Sequence, residues 1–396
     1  MAVLAAGALM LAAGCSSQEG AESTAGQGVN SPAASSAPPS GRAASPSTSP
    51  SATPPPADLP PAKGSVKVVS TLTEGLDSPW GLAELPDGDL LVSSRDKGTI
   101  TRIDAKTGKK TLLGTVPGVA PAGEGGLLGL AVSPDYGTDH LVYAYFTTAS
   151  DNRIARMLYD EDGTTPGQLL GAPDTILRGI PKGAIHNGGR IAFGPDRMLY
   201  AGTGETGDDG RAQDKDSLAG KILRMTPDGE PLHGNPRADS VVYSYGHRNV
   251  QGLAWDGHKQ LWAAEFGQDT WDELNRIVPG GNYGWPEAEG KAGKAGFLDP
   301  VAQWKTSEAS PSGIAFAEGS IWMAGLRGER LWRIPLSGTA DKEPLAAPQS
   351  FLKGKYGRLR TVLAAGGNKL WLVTSETDGR GTPEAGDDRI LVVEVR

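Results

Sequence analysis

The segment Gly81-Leu-Ala-Glu-Leu-Pro-Asp-Gly-Asp-Leu-Leu-Val92 contains a small residue, a short apolar run, a Pro-Asp-Gly turn and a second apolar run. Five related segments follow it along the chain and begin at Gly129, Gly189, Gly252, Gly313 and Arg360. Successive segments start 48, 60, 63, 61 and 47 residues apart. Such recurrence indicates a repeat architecture, and short strands bounded by turn residues favour antiparallel β-structure. The six copies therefore predict an all-β, six-bladed β-propeller.

Strand-like runs at both ends of the repeat region suggest how the ring closes. The leading run is Ser65-Val-Lys-Val-Val-Ser-Thr-Leu72, and the trailing run is Arg389-Ile-Leu-Val-Val-Glu-Val395. We expect these N- and C-terminal strands to complete one blade together. Two packed β-sandwiches are the alternative arrangement, although a sandwich does not require a six-fold recurrence.

The composition agrees with turn-rich β-structure and disfavours several other classes of protein. The 396 residues include 56 glycines, and 9 tryptophans outnumber 6 phenylalanines, which is unlike a helical bundle. The net charge is −8 and the 38 basic residues are scattered, so the basic face of a nucleic-acid-binding protein is missing. A single cysteine permits neither a disulfide framework nor a zinc site of paired thiolates.

The single cysteine, Cys15, follows an apolar run at the N-terminus. Residues 1–14 are too few to span a bilayer, which takes about 20 residues, but they match the apolar part of an export signal. The ending Leu11-Ala-Ala-Gly-Cys15 resembles a bacterial lipobox, which implies that Cys15 is lipidated and holds the protein on the outer face of the cell membrane. An ordinary cleaved signal that happens to contain a cysteine is the alternative, and both readings predict export.

A segment of low complexity separates this signal from the repeats. Residues 16–63 are almost entirely Ser, Ala, Pro, Gly and Thr, with too little apolar surface to offset the entropy of ordering. The predicted organisation is therefore a lipoprotein-type signal in residues 1–15, a disordered tether in residues 16–63 and one propeller domain in residues 64–396.

Three loops depart from the repeat and carry polar side chains. His186 precedes an inner strand and should face the central channel, where an imidazole could accept a proton near neutral pH; a hydrogen-bonded structural histidine is the alternative. Arg248, Asn249 and Gln251 lie at the matching position of the next blade and would suit a planar anionic ligand. The segment Ala264-Glu-Phe-Gly-Gln-Asp-Thr-Trp-Asp-Glu-Leu-Asn275 offers oxygen ligands for calcium, or it is a solvated acidic loop.

Five sequence motifs occur in order through the predicted propeller. They are Gly123-Glu-Gly-Gly-Leu-Leu-Gly-Leu130, His186-Asn-Gly-Gly189, Gly246-His-Arg-Asn-Val-Gln-Gly-Leu253, Trp271-Asp-Glu-Leu-Asn275 with Asn282-Tyr-Gly-Trp-Pro286, and Arg358-Leu-Arg360. Together they resemble the soluble pyrroloquinoline-quinone (PQQ)-dependent sugar dehydrogenases, the glucose/sorbosone and aldose dehydrogenase family. The resemblance covers about residues 76–395. It implies PQQ- and calcium-dependent oxidation of aldoses at C1 to lactones, by hydride transfer to the quinone.

The resemblance also implies roles for individual residues. His186 matches the general base, and Glu205 stands where its aspartate partner is expected, keeping the negative charge with one extra methylene. Arg248 matches the residue that lies against the cofactor plane. The other residues that the resemblance places at the cofactor are Glu124, Asn249, Gln251, Arg327, Arg358 and Arg360.

For calcium, the resemblance implies two sites. The backbone carbonyls of Gly267 and Gln268 match ligands of an ion between cofactor and protein, whereas Glu273 and Tyr283 match a second, structural site. Two departures from the family pattern concern cofactor affinity more than chemistry. Gln268 replaces a proline that would stiffen the calcium loop, and Ile185 replaces an aspartate.

Two further classes of function stay open on the sequence. The same scaffold could be a non-catalytic extracellular propeller that binds a glycan or protein partner, or a metal-dependent lactonase. On the dehydrogenase reading we expect a sugar substrate, for which Trp304 could offer a stacking face, and an electron acceptor that is a membrane quinone or a soluble carrier. We expect a monomer or homodimer, with membrane contact only through the lipid anchor.

Overall fold

A computed structural model describes residues 59–338 and 344–396 of the chain. The predicted signal, the lipidation site Cys15 and most of the predicted tether lie outside the described residues. No helix in the described part of the chain is long and apolar enough to cross a membrane.

The described chain forms six four-stranded antiparallel sheets. An N-terminal strand, β1 (Val66–Thr73), precedes the first blade, which consists of β2 (Pro79–Glu84), β3 (Leu90–Ser94), β4 (Thr99–Ile103) and β5 (Lys110–Thr115). The second blade consists of β6 (Leu127–Val132), β7 (Leu141–Thr147), β8 (Asn152–Leu158) and β9 (Asp174–Ile180), with the short helix α1 (Tyr136–Asp139) between β6 and β7. The third consists of β10 (Ile191–Phe193), β11 (Leu199–Gly202), β12 (Lys221–Met225) and β13 (Val242–Tyr245), with α2 (Gly210–Gln213) between β11 and β12.

The remaining blades follow the same pattern. The fourth consists of β14 (Val250–Trp255), β15 (Leu261–Glu265), β16 (Trp271–Ile277) and β17 (Ala302–Lys305). The fifth consists of β18 (Pro311–Ala317), β19 (Ser320–Gly325), β20 (Arg330–Pro335) and β21 (Gln349–Phe351), and the sixth is built from β22 (Leu359–Ala364), β23 (Lys369–Thr374), β24 (Ile390–Val395) and β1. The predicted six-bladed β-propeller is therefore confirmed, and the sandwich alternative is wrong.

The first strands of the blades form a closed ring around the channel. β2, β6, β10, β14, β18 and β22 each contact the next in that order, and β22 contacts β2. The recurring glycines of these strands permit the close approach. A side chain at Gly81 would meet the Leu128 carbonyl oxygen, one at Gly129 would meet that of Gly189, and one at Gly252 would meet that of Ser312. The sequence repeat thus reflects backbone packing between neighbouring blades.

The two chain ends close the ring, as the sequence predicts. β1 pairs antiparallel with β24, so that Val66 lies opposite Val395 and Val68 opposite Val393. The segment just before β1 also contacts the propeller, because Arg333 Nη2 donates to the carbonyl oxygen of Pro61 at 2.8 Å. The last residues of the predicted tether, from residue 59 onward, therefore lie against the fifth blade.

Apolar side chains pack between neighbouring blades and leave the channel polar. Trp262 and Trp304 of the fourth blade pack with Trp332 of the fifth, while Trp322 is fully buried between the fifth and sixth blades. Removing a side chain of this size from a core costs about 3–5 kcal/mol. Trp304 is 5% exposed and belongs to this core, so the suggestion that it stacks on a sugar is wrong.

Strand direction places the functional loops together. Because neighbouring strands are antiparallel, the loops that enter each first strand and those that leave each second strand lie at the same end of the channel. His186, Arg248 and Arg358 lie in entering loops, whereas Glu205 and Gly267 lie in leaving loops.

Candidate active site

A polar cavity of about 500 Å³ occupies this end of the channel. Its volume is in the range of small-molecule and cofactor sites. Its lining includes Trp80, Arg95, Glu124, His186, Arg248, Gln251, Phe266, Gly267, Gln268, Asp272, Thr306, Ser310, Leu326, Arg327, Arg358, Arg360, Asp378 and Arg380. The cavity therefore brings together nine of the residues that the sequence analysis assigns to catalysis, cofactor or calcium.

His186 is held in an uncommon backbone conformation at the cavity wall. Its φ angle is 53°, in the left-handed region that non-glycine residues rarely adopt, and Gly188 and Gly189 follow with positive φ. Its Nδ1 atom lies 2.5 Å from Oε1 of Glu205. Glu205 does not line the cavity but lies behind the ring, where it is 1% exposed and also accepts a hydrogen bond from the Gly207 amide. The carboxylate engages Nδ1 and leaves Nε2 as the ring nitrogen able to exchange a proton with a ligand.

Arg248 also lines the cavity, and one nitrogen of its guanidinium has no hydrogen-bond partner among the described residues. Its Nη1 donates to the carbonyl oxygen of Gly267 at 2.7 Å, and its guanidinium lies 5.3 Å from the centre of the Trp285 ring. Its Nε is buried and has no hydrogen-bond partner among the described residues. An orphaned buried donor of this kind is costly unless a ligand satisfies it.

The two amide residues of the same loop take different positions. Gln251 lines the cavity, and its Oε1 accepts hydrogen bonds from Arg360 Nη1 and Ser312 Oγ, both at 3.0 Å. Asn249 is fully buried behind the wall, where its Oδ1 accepts from the Gly188 amide at 2.9 Å. Asn249 therefore supports the His186 loop in this structure, outside the cavity lining.

A cluster of arginines around Asp378 forms another part of the wall. Arg358 Nη2 and Arg360 Nη2 each donate to Oδ2 of Asp378 at 2.9 Å, and Arg95 Nη2 donates to its backbone carbonyl at 3.0 Å. Burial raises the pKa of Asp378, but the charges of Arg360 and Arg358 outweigh it and hold the pKa at about 2. Burial lowers the pKa of Arg360 to about 10, so its guanidinium stays charged at neutral pH. Arg327 lines the same cavity from the fifth blade and is exposed.

The predicted calcium loop is tightly ordered by hydrogen bonds. Oε1 of Glu289 accepts from four successive amides, those of Gln268, Asp269, Thr270 and Trp271. Asp272 accepts from the Gly267 amide at 3.0 Å and the Ser310 amide at 2.6 Å, and burial raises its pKa to about 6.

The carbonyl oxygen of Gly267, a predicted calcium ligand, already has a hydrogen-bond donor. This oxygen accepts a hydrogen bond from Arg248 Nη1, so a cation there would face the guanidinium charge. The oxygen keeps a second lone pair for a cation, but the charge of Arg248 would oppose the cation unless the guanidinium moves away. The second predicted ligand, Gln268, also lines the cavity.

Glu273 and Tyr283 lie outside the cavity, beside other buried polar groups. Asn275 Nδ2 donates to Glu273 Oε2 and to Glu265 Oε1, both at 2.9 Å, while Asn275 Oδ1 is buried with no hydrogen-bond partner in the described ranges. Burial, together with the Glu265 charge, raises the pKa of Glu273. The Tyr283 hydroxyl donates to the Arg276 carbonyl, and its ring stacks on His247 with centroids 4.6 Å apart. The orphaned Asn275 oxygen beside a buried carboxyl is compatible with a cation ligand, whereas the Tyr283 hydroxyl is already engaged.

The charge balance of the cavity indicates the kind of ligand that it can hold. Six arginines line it against three carboxylates, Glu124, Asp272 and Asp378, which gives an excess of three positive charges when all are ionised. The buried unpaired Nε of Arg248 adds a donor without an acceptor. These features fit an anionic ligand better than a neutral one.

A family model for glucose/sorbosone dehydrogenases matches residues 76–384. The chain belongs to the glucose/sorbosone dehydrogenase family. The aldose sugar dehydrogenase YliI of Escherichia coli is 31% identical to it, over 78% of this chain and 91% of that protein. Quinoprotein glucose dehydrogenase B of Acinetobacter calcoaceticus is 29% identical, over 63% of this chain and 59% of that protein.

A solved structure supports the same family assignment. It is the PQQ-bound form of the aldose sugar dehydrogenase of Streptomyces coelicolor, which is 74% identical to this chain with a TM-score of 0.83. The match covers 85% of this chain and all of that one. This sugar dehydrogenase family member therefore has a relative whose structure contains PQQ.

Sequence reasoning assigned no role to four charged residues of the lining, Arg95, Asp272, Asp378 and Arg380. Asp378 and Arg380 lie in the loop between β23 and β24, where the sequence shows only a polar stretch. The segment Ser375-Glu-Thr-Asp-Gly-Arg380 leaves the second strand of its blade, as Glu205 does in the third blade. This equivalent position, after the second strand of a blade, is the signal by which the loop of residues 375–380 could have been identified from the sequence.

Proposed function

We propose that this protein is a PQQ-dependent dehydrogenase that oxidises aldose sugars at C1 to lactones. The observation that carries the proposal is the meeting of the His186–Glu205 pair with the arginine-rich wall in one cavity. The family assignment and the PQQ-bound relative support it. A pure binding module would not need a histidine–carboxylate pair at the wall of such a cavity.

The arginine wall is suited to hold the cofactor. Arg327, Arg358 and Arg360 would neutralise its carboxylates, and Arg248 would place its guanidinium, with the unpaired Nε, against the ring system. When bound, PQQ supplies the electrophilic quinone that takes the hydride from the sugar. The protein contributes orientation and charge neutralisation.

His186 would act as the general base. Its Nε2 is the ring nitrogen available to take the proton of the C1 hydroxyl, because Nδ1 is engaged by Glu205. Glu205 would stabilise the imidazolium that forms, since its charge lies 2.5 Å from Nδ1 and is shielded from solvent. Removal of that proton would favour departure of the hydride from C1.

We also propose that calcium binds at the carbonyls of Gly267 and Gln268. The positive charge of Arg248, whose Nη1 contacts the Gly267 carbonyl oxygen at 2.7 Å in this structure, opposes a cation at that oxygen. Replacement of Arg248 by methionine should therefore raise the affinity of the cofactor-free protein for calcium alone. Calorimetry with calcium chloride tests this, and an unchanged or lower affinity would contradict the calcium assignment.

The proposed cellular position rests on the sequence alone. Cys15 would carry lipid and hold the enzyme outside the cell, with the predicted tether of residues 16–63 linking it to the propeller. Replacement of Cys15 by serine should release the protein from the membrane fraction.

Reconstitution tests the activity directly. Purified protein is mixed with calcium and PQQ, and dye reduction is followed with a panel of aldoses. We expect turnover with at least one aldose, and His186→Ala should abolish it while PQQ binding measured by calorimetry persists. Absence of both dye reduction and quinone binding would refute the dehydrogenase proposal and favour a non-catalytic propeller.

A further inference from the structure

Glu124 connects three separate blades at the rim of the cavity. It lies in the connection between the first and second blades. Its Oε2 accepts a hydrogen bond from the His186 backbone amide at 2.9 Å, and its Oε1 accepts one from Arg380 Nη2 at 2.6 Å. His186 belongs to the loop that enters the third blade, and Arg380 to the last loop of the sixth. One carboxylate thus links the two sides of the cavity mouth.

Three atoms of His186 form hydrogen bonds, and Glu124 is the partner of one of them, the backbone amide. Its Nδ1 is held by Glu205, and its carbonyl oxygen accepts from the Thr206 amide at 3.2 Å. Both of these contacts come from the loop after β11, within the same blade. Among the described residues, Glu124 supplies the hydrogen bond that reaches His186 from outside its own blade.

The surrounding backbone reinforces the contact. The Glu124 amide donates to the carbonyl oxygen of Ala184 at 2.8 Å, and Gly123, with φ of 58°, lies so close to that carbonyl that a side chain would collide with it. The two loops therefore form a reciprocal pair of hydrogen bonds, one through the Glu124 backbone and one through its carboxylate. His186 has a φ of 53°, which is unfavourable for a β-carbon-bearing residue and persists only when neighbours over-determine it.

We propose that Glu124 is a positioning residue for His186, and that it acts by holding the strained His186 amide while Arg380 fixes its carboxylate across the mouth. Both carboxylate oxygens have these protein partners, and the proposed role does not require direct contact with the cofactor. The proposal rests on the proposed function for its effect on turnover, because it assumes that His186 is the base.

Side-chain replacements separate the two contacts of Glu124. Glu124→Gln keeps an oxygen that can accept from the His186 amide but removes the charge that pairs with Arg380. Glu124→Ala removes both contacts. Arg380→Gln removes the ion pair and leaves the carboxylate in place. Glu384→Ala is the matched control, because Glu384 is an exposed carboxylate in the same loop as Arg380.

Hydrogen exchange gives a readout that does not require activity. Mass spectrometry of the cofactor-free protein follows the peptide that covers residues 184–188. We expect about tenfold or faster exchange in Glu124→Ala, because a hydrogen bond to a charged acceptor is lost, and a smaller change in Glu124→Gln. Glu384→Ala should exchange like the unmodified protein. Equal exchange in Glu124→Ala and the unmodified protein would overturn the proposal.

Steady-state kinetics of the PQQ-loaded protein give the second readout. We expect Glu124→Ala to lower kcat at least tenfold with KM for the sugar changed less than threefold, and Glu124→Gln and Arg380→Gln to have smaller effects on kcat. A loss of PQQ affinity in Glu124→Ala with kcat unchanged at saturation would show a cofactor ligand instead and overturn the proposal. If the unmodified protein oxidises no sugar, the proposed function fails, while the exchange experiment still decides whether Glu124 holds His186.

Discussion

The Nδ1 atom of His186 lies 2.5 Å from Oε1 of Glu205, a carboxylate that is 1% exposed to solvent. The histidine comes from the loop that enters the third blade, and the glutamate from the loop that leaves the second strand of that blade. The blade thus places the two side chains in contact because antiparallel strands bring these two loops to the same end. A buried carboxylate at Nδ1 fixes the ring tautomer and leaves Nε2 toward the ligand.

Replacing Glu205 by glutamine should test the charge of this pair with little change in shape. The neutral amide lacks the negative charge that stabilises an imidazolium, so we expect kcat to fall by about 100- to 10,000-fold, the range over which general base catalysis contributes. Affinity for PQQ should change little, because Glu205 does not line the cavity. Dye-coupled kinetics and calorimetry measure the two quantities, and an unchanged kcat would show that the carboxylate is structural.

Arg360 should contribute to cofactor affinity through its charge. Its guanidinium is 5% exposed and bonded to Gln251 and Asp378 at the cavity wall. We expect Arg360→Gln to weaken PQQ binding about 10- to 100-fold, since charge-assisted hydrogen bonds contribute about 1.5–3 kcal/mol. Arg197→Gln is the control, because Arg197 lies at the surface, where it pairs with Asp135. Equal affinities of the two variants would contradict the cofactor role of Arg360.

Much of the fold was predictable because its cause is local. The glycines at positions 81, 129 and 252 recur since each first strand packs against the backbone of the next, and a close approach needs a residue without a side chain. The strand pairing of β1 with β24 was also predictable from two apolar runs at the ends. These features depend on spacing and residue type, which a single sequence displays.

The site was less predictable because it depends on loops without a repeat. Sequence reasoning placed Asn249 at the cofactor, and this assignment stays a prediction: the residue does not line the cavity and its Oδ1 accepts from the Gly188 amide, but its buried Nδ2 has no partner among the described residues. It assigned Trp304 a possible sugar contact, whereas that ring packs against Trp332 with centroids 5.5 Å apart. It missed Asp378, whose role follows from where the last loop folds. Side-chain direction in such loops is set by tertiary contacts that spacing does not reveal.

The ion cluster around Asp378 should make stability depend on acid pH. Its folded pKa of about 2 is below the ordinary value of 3.8, so its ionised form stabilises the fold above pH 3.8, and this contribution is lost as the pH falls toward 2. Between pH 5 and pH 3 this single group should lower the free energy of unfolding by about 1 kcal/mol.

Asp378→Asn removes that titration, and urea unfolding measured at pH 5 and pH 3 tests it. The variant should be less stable at pH 5, because Arg358 and Arg360 lose their shared counter-charge. From pH 5 to pH 3, the free energy of unfolding of the variant should then decrease less than that of the unmodified protein. Parallel losses in the two proteins would mean that Asp378 does not titrate as the geometry indicates.

The close packing of the first strands should make their glycines sensitive to any added side chain. A methyl group at Gly129 would collide with the carbonyl oxygen of Gly189 in the next blade, and its amide already donates to that oxygen at 3.0 Å. Because both partners are backbone atoms of the ring, neither can rotate away, and overpacking of this kind costs about 1–3 kcal/mol. We expect Gly129→Ala to lower Tm by several degrees. Gly137→Ala is the control, since nothing lies within 4 Å of a side chain at Gly137 in α1. Scanning calorimetry compares the Tm values of the two variants. Equal values would show that the ring can expand to accept the methyl group. The recurring glycines would then not be required for blade packing.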